Sequence, residues 1–198
     1  MIHDYDRSGY FGGSESRYVL AKNRNTASFM EWWDVKLGIS PHTPFETRYT
    51  RAGNLYEPHI LEAVDPDVIR DGQIIYEKYL LRINYDGWND GTIYEVKTHQ
   101  AKKEFKVTKD YYAQCQAEMF VYKKMHNKWF LPPFKKLILV SYPLYEDEYD
   151  VEDGEIEIVP SRICTQEVKY DKDWVQAEYI PKVKELSRAL KKGKYPPV

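Results

Sequence analysis

A charged segment on otherwise apolar strands restricts the fold of this chain more than any other feature. Residues 83–97 read INYDGWNDGTIYEVK, and the turn signals from Gly87 to Gly91 predict a β-hairpin. Because side chains alternate between the two faces of a strand, Glu95 and Lys97 point the same way, and strand pairing brings Asp86 close to Glu95. Two carboxylates and an ammonium therefore converge on one small patch.

This patch has two interpretations. Hard cations such as Mg²⁺ take oxygen ligands, and a lysine beside a bound cation can orient a water, which is typical of metal-assisted phosphodiester hydrolysis. The alternative is a solvated face with a cross-strand ion pair. The apolar residues of 93–96 favour a buried strand, on which charges are costly unless they are paired or bind a metal.

Length and composition are typical of one folded domain over residues 1–198, because 42% of the chain is hydrophobic. The net charge of −2 gives no support by itself to a nucleic-acid partner. However, residues 97–136 carry ten lysines against three acidic residues, and residues 137–158 carry eight acidic residues and no lysine or arginine. This segregation is compatible with a polyanion on one face, and also with a solvated helix beside an unrelated acidic loop.

Cysteine usage and the N-terminus favour a cytoplasmic protein. Cys115 and Cys164 form neither a metal-spaced pair nor a disulfide framework, so a reduced protein is expected. The N-terminus lacks the basic and apolar regions of a signal peptide. No apolar run approaches the ~20 residues that span a bilayer, so no membrane association is expected.

Helix and strand signals alternate along the chain. They predict helices over 13–22, opened by Ser14, over 27–37, capped by Thr26 and ended by Gly38, and over 46–64, 109–126 and 171–192. They predict strands over 74–77, 80–85, 92–98 and 137–142, with two more near 155–159 and 164–170. This order favours an α/β fold with helices on both faces of a sheet.

Glu57 is a second unusual residue, because it lies on the apolar face of the predicted helix 46–64. Gly53, one turn earlier, would let another part of the backbone come close. One interpretation is a buried ion pair with Arg51 or Arg82. The other makes Glu57 a third acid beside the hairpin carboxylates.

Gln114 is a third candidate, on the helix that follows the Glu-x-Lys strand after a short basic loop. The first turns of such a helix can face the site, and a neutral amide with donor and acceptor suits a phosphate or a base edge. The alternative is an ordinary exposed helix residue.

Together these elements resemble the lambda-exonuclease (YqaJ-type) viral recombinases, within the restriction-endonuclease-like PD-(D/E)xK nucleases. The resemblance covers roughly residues 7–125, and five elements in order are far more specific than any one motif. They are Arg7 followed by Ser14 at a helix start, Gly53-x-x-x-Glu57-Pro58, Asp86, Glu95-Val96-Lys97, and Tyr111-x-Ala113-Gln114-x-Gln116.

The resemblance implies a central mixed sheet flanked by helices on both faces, and a catalytic centre for two Mg²⁺ ions, with Mn²⁺ expected to substitute. It implies that Asp86 bridges the ions, while Glu95 and the carbonyl of Val96 complete the shell of one of them. Glu57 would act in or near the shell of the second metal ion, and Lys97 would orient the attacking water.

The resemblance also implies a pocket for the 5′-phosphate of the digested strand, formed by Arg7, Ser14 and Gln114. Asn84 stands where the relative carries a serine that helps to hold the phosphate, and its amide can still donate. Tyr85 replaces the proline of the superfamily motif, at a permissive position. Four lysines are expected to contact backbone phosphates, namely Lys102, Lys103, Lys106 and Lys109.

The function implied is a Mg²⁺-dependent 5′→3′ exonuclease that digests one strand of linear double-stranded DNA in phage-type homologous recombination. A ring-shaped homotrimer and a single-strand annealing protein as partner are implied by the same resemblance. Two alternatives stay open at the level of sequence. One is an endonuclease or repair nuclease on the same core, and the other is a catalytically inactive DNA-binding module.

Overall fold

The fold is built on one five-stranded sheet. The structure, a computed structural model, describes residues 7–43 and 46–197. The strands lie side by side in chain order. They are β1 (Ile69–Tyr76), β2 (Leu81–Asn89), β3 (Thr92–Gln100), β4 (Lys136–Leu144) and β5 (Cys164–Val168). Neighbours are antiparallel except β3 and β4, which are parallel, so the sheet is mixed as expected.

Six α-helices lie in the described part of the chain. They are α1 (Ser16–Val19), α2 (Ala27–Lys36), α3 (Arg48–Val64), α4 (Lys109–Met125), α5 (Lys172–Trp174) and α6 (Ile180–Lys191). A parallel pair of strands needs a crossover connection, and α4 supplies it between β3 and β4. The Thr26 hydroxyl accepts the Phe29 N–H at 3.3 Å, which confirms Thr26 as the N-cap of α2.

Three element predictions are corrected. The helix expected over 13–22 is a 3₁₀ turn (Gly13–Glu15) followed by the single turn of α1, and Ser14 lies inside that turn instead of opening it. The strand expected near 155–159 is absent, since that stretch lies between two 3₁₀ turns. The last helix is interrupted by a π-helical turn at Val175–Tyr179.

Hydrophobic residues pack on both faces of the sheet. On one face α3 places Tyr56, Ile60 and Leu61 against Val140 and Tyr142 of β4. On the other face α2, α4 and α6 share a larger core with the strands. The expected arrangement, a mixed sheet with helices on both faces, is confirmed, and the sheet positions residues of α3 and α4 on either side of β3.

Within the described part of the chain, no helix combines the length and the apolar character needed to cross a bilayer. The expectation of a single domain over 1–198 stays a prediction.

Candidate active site

The β2–β3 hairpin separates at the site. Its ladder pairs Gly87 with Tyr94 and ends there. Beyond that point the side chain of Asp86 replaces the backbone of β2 as hydrogen-bond partner of β3, because its Oδ2 accepts the Val96 N–H at 2.8 Å. A carboxylate thus satisfies a main-chain donor that the separating strand no longer serves, and Asp86 is fixed beside β3.

Glu95 lies at the centre of the site and is 1% exposed. Its Oε1 forms an ion pair with Lys97, which confirms that the two side chains point the same way. The same oxygen accepts the Nε2 amide of Gln114 at 2.6 Å, whereas Oε2 has no hydrogen-bond partner in the described residues. The burial of Glu95 contradicts the interpretation of this patch as a solvated face.

Asp86 and Glu57 are half-buried and lie close enough to Glu95 for its charge to act on both. Burial and then the charge of Glu95 raise the pKa of Glu57 to about 7. The same two causes, followed by the charge of Glu57, raise the pKa of Asp86 well above its usual range. These shifts mean that three carboxylates repel one another across β2, β3 and α3.

Among the described side chains, the charges that act most strongly on the pKa of Glu57 belong to Glu95, Lys97 and Asp71, and none of these is an arginine. Arg51, one of the two partners considered for it, lies 3.9 Å from Glu152. Gly53 meets a side chain instead of another backbone, since a Cβ there would lie 3.1 Å from the Thr98 hydroxyl on β3.

A fourth carboxylate, Glu118, was missed in the sequence. It is fully buried on α4, and neither of its carboxylate oxygens has a hydrogen-bond partner in the described part of the chain. Burial and the charges of Glu95 and Asp86 raise its pKa well above the usual range, and the nearby amide of Gln114 and the ammonium of Lys97 oppose this rise only in part. A signal was available, because Glu118 follows Gln114 by four residues and therefore shares its helix face.

Lys97 balances part of this negative charge. Burial lowers the pKa of its ammonium, but Glu95 and Asp86 outweigh that effect and raise it above the usual value. Lys97 is therefore protonated throughout the physiological pH range. It can donate hydrogen bonds at the site and has no free base to offer.

The N-terminal segment with Arg7 and Ser14 reaches the carboxylates through Gly13. A Cβ at Gly13 would lie 3.1 Å from Oε1 of Glu118 and 3.5 Å from Cδ1 of Ile83. Ser14 itself is exposed and Arg7 is half-buried. The structure thus brings Gly13, in the segment that carries two expected phosphate ligands, against the Glu118 carboxylate.

The other expected DNA ligands lie in three places. Asn84 accepts the Nε2 amide of Gln73 at 3.0 Å through its Oδ1, which leaves its own amide able to donate. Gln114 is engaged with Glu95. Exposed lysines at and beyond the end of β3 include Lys102, Lys103, Lys106 and Lys109, of which Lys106 lies 3.2 Å from Glu104.

The donor set suits a hard cation in type and charge. Carboxylate oxygens are the ligands that Mg²⁺ prefers, and the unpartnered buried oxygens of Glu95 and Glu118 are sites where positive charge is needed. In residues 7–43 and 46–197, however, no three acidic, histidine or cysteine side chains are already arranged around one ion position. The ammonium of Lys97 forms an ion pair with Oε1 of Glu95, so this oxygen already has a positively charged partner.

No protein-family model and no curated protein matches the sequence, but solved structures do match the fold. An alkaline exonuclease (LHK-Exo) from Laribacter hongkongensis has a TM-score of 0.64 at 17% identity, over 93% of this chain and 89% of that chain. The same exonuclease in complex with dAMP gives the same values. A phage related exonuclease from Haemophilus somnus 129PT has a TM-score of 0.56 at 15% identity, over 93% of this chain and 92% of that chain.

The chain has the fold of these exonucleases. The resemblance found in the sequence is therefore confirmed at the level of the fold, and it extends beyond residue 125 to nearly the whole chain. In this fold, the four carboxylates and Lys97 lie on β2, β3, α3 and α4, around the point where the hairpin separates.

Proposed function

We propose that the chain is a Mg²⁺-dependent deoxyribonuclease that digests one strand of linear double-stranded DNA from its 5′ end. The observation that carries the proposal is the convergence of Glu57, Asp86, Glu95 and Glu118 with the charged amine of Lys97. This concentration of four buried or half-buried carboxylates around one ammonium is costly for a protein that uses it only for folding. It is found here in a fold shared with exonucleases.

The residues of the site would have two roles, which are to bind the cation and to position the attacking water. Asp86, Glu95, the carbonyl of Val96 and Glu57 would hold Mg²⁺, with Mn²⁺ able to substitute. When bound, the metal lowers the pKa of a coordinated water and stabilises charge on the leaving oxygen. Lys97 is held at the site by Glu95 and would donate a hydrogen bond that orients the attacking water.

The DNA end would bind next to these carboxylates, beside the N-terminal segment that carries Arg7 and Ser14. Arg7, Ser14, Asn84 and Gln114 offer a guanidinium, a hydroxyl and two amides, which are donors suited to a terminal phosphate. The exposed lysines Lys102 and Lys103 would bind backbone phosphates farther along the duplex, a contact that does not depend on base sequence.

The biological setting proposed is phage-type recombination in the cytoplasm. Digestion from a 5′ end leaves a single strand, which an annealing protein would take up. A homotrimer that encloses the DNA would keep the enzyme on its substrate. A sedimentation measurement on DNA tests the trimer, and a monomer there would contradict it.

The reaction class is tested with two DNA substrates of the same sequence. One is a linear duplex labelled at one 3′ end, and the other is a covalently closed circle. With Mg²⁺, we expect the strand to shorten from its 5′ end and the circle to stay intact, and EDTA should stop the reaction. Cutting of the circle would instead indicate an endonuclease. Binding of DNA without any cutting would indicate an inactive binding module.

A further inference from the structure

A buried ion pair lies beneath the N-terminal segment. Lys36, at the end of α2, is 1% exposed. Its Nζ donates to Oε1 of Glu15 at 2.7 Å and to the carbonyl of Arg7 at 2.8 Å. The other oxygen of Glu15, Oε2, accepts the Gly12 N–H at 2.7 Å. Two charged side chains therefore connect the backbone at Arg7 with the backbone at Gly12.

Burial of this ion pair carries a desolvation cost that apolar side chains in the same core would not have. Burial lowers the pKa of the Lys36 ammonium, and Glu15 opposes that shift. Apolar residues of similar volume often replace a buried ion pair without loss of stability, so stability alone does not account for such a pair, and in some proteins it specifies a conformation. Here the conformation concerned is that of the backbone between Arg7 and Glu15.

The middle of this segment is fixed to the sheet by other contacts. The Phe11 N–H donates to the carbonyl of Leu80 at 2.8 Å, and the Arg82 N–H donates to the carbonyl of Phe11 at 2.9 Å. The Ser16 hydroxyl donates to the carbonyl of Gly13 at 2.7 Å. What the ion pair adds is a connection between the two arms on either side of Phe11, one with Arg7 and the other with Ser14.

We propose that Lys36 and Glu15 are positioning residues for DNA-end recognition, which hold Arg7 and Ser14 at the separation that a 5′-terminal phosphate requires. The inference rests on the proposed function, in which these two residues bind that phosphate. Neither Lys36 nor Glu15 needs to touch DNA, because the pair acts through the Arg7 carbonyl and the Gly12 N–H.

The test is an equilibrium binding measurement, so that it does not depend on catalysis. Fluorescence anisotropy compares short duplexes with a 5′-phosphate and a 5′-hydroxyl, in EDTA, for the full chain carrying Asp86→Asn. This parent protein should prefer the phosphate. Lys36→Met should weaken binding of the phosphorylated end about tenfold, the size of one lost charge-assisted contact, and leave binding of the hydroxyl end unchanged.

Two further variants separate positioning from folding. Lys36→Met/Glu15→Leu replaces both charges with apolar groups and should regain thermal stability, yet it should still fail to prefer the phosphate. Arg24→Met is the matched control, because it removes another largely buried cation, which lies outside the segment between Arg7 and Glu15 and pairs with the more exposed Glu185 at 2.8 Å. Arg24→Met should lower the melting temperature and keep the phosphate preference.

The inference is overturned if Lys36→Met or the double variant keeps the phosphate preference, or if the parent protein has none. Digestion of the labelled linear duplex by the wild type decides the proposed catalytic function separately. A wild type that fails to digest DNA, together with loss of end preference in Lys36→Met, would reject the catalytic function and retain the positioning role.

Discussion

The side-chain amide of Gln114 donates a hydrogen bond of 2.6 Å to Oε1 of Glu95, and this contact joins α4 to the central strand of the sheet. The same oxygen also receives the ammonium of Lys97. Both donors therefore serve one side of the Glu95 carboxylate, while its Oε2 and the whole carboxylate of Glu118 are left without hydrogen bonds in the described residues. The energetics of the site follow from this uneven distribution of donors.

Lys97→Met should destabilise the protein strongly, because it removes the cation that Glu95, Asp86 and Glu118 share. Breaking one partner of a buried pair costs about 3–5 kcal/mol, and since Lys97 is 21% exposed we expect about 2–4 kcal/mol. Urea unfolding measures this. The control is Lys106→Met, in an exposed pair with Glu104, which should change the free energy of unfolding by less than about 1 kcal/mol. Equal losses in the two variants would contradict the shared-cation interpretation.

Glu118→Gln should stabilise the protein at alkaline pH. The substitution keeps the shape of the side chain and removes a buried carboxylate that the charges of Glu95 and Asp86 oppose. We expect a gain of about 1–3 kcal/mol in the free energy of unfolding near pH 8. Glu167→Gln, at an exposed position of β5, is the matched control and should have no effect. A destabilised Glu118→Gln variant would show that the carboxylate has a partner essential for folding.

Glu57→Gln should flatten the pH dependence of stability. Because burial and the charge of Glu95 raise the pKa of Glu57 from 4.5 to about 7, the native state binds more protons than the unfolded state between these values. The free energy of unfolding then falls as pH rises through this window. Removal of Glu57 should reduce the fall on the order of 1–2 kcal/mol, several degrees in Tm, after allowance for its partial exposure.

Thermal unfolding in EDTA at about pH 5 and about pH 8 measures this window. Glu62→Gln, at an exposed position on the same helix, provides the comparison and should behave like the wild type. If the wild type and Glu57→Gln lose the same stability between the two pH values, then burial and the charge of Glu95 do not raise the pKa of Glu57 as argued.

Gly13→Ala should disturb both folding and the proposed end-binding segment. Its Cβ would lie 3.1 Å from Oε1 of Glu118, so either the buried carboxylate or the segment must move by a few tenths of an ångström. Overpacking of this kind costs about 1–3 kcal/mol. A Cβ at Gly154 would meet nothing within 4 Å, so Gly154→Ala should be neutral. The contact is contradicted if the two variants have the same melting temperature.

The parts of the site that the sequence predicted are those set by local periodicity. Because a strand alternates its side chains between two faces, the sequence alone predicts that Glu95 and Lys97 lie on the same face. The helix that became α2 was recognisable from its N-cap Thr26 and its stop at Gly38, and the helices that became α3 and α4 were predicted over 46–64 and 109–126. The hairpin was recognisable from its glycines, although its separation at Asp86 was not.

The remaining parts depend on tertiary packing. Glu118 shares a helix face with Gln114, but its burial comes from tertiary structure, because α4 packs between the sheet and the N-terminal segment. The Lys36–Glu15 pair joins residues 21 positions apart, which no local pattern predicts. The strand expected near 155–159 does not form. Its apolar residues alternate, but no described strand pairs with it, and β4 pairs with β5 instead.

The most direct measurement is the rate of nucleotide release from a linear duplex by the wild type and by Asp86→Asn, with Mg²⁺ and with EDTA. Asparagine keeps an oxygen that can accept the Val96 N–H but loses the charge needed to hold a cation, so we predict at least a ~100-fold loss of the Mg²⁺-dependent rate. Asp90→Asn is the matched control, because Asp90 lies at the exposed turn of the same hairpin with a φ of 43° that asparagine also tolerates. Wild-type activity in Asp90→Asn and its loss in Asp86→Asn would support the catalytic site, whereas equal activity of Asp86→Asn and the wild type would contradict it.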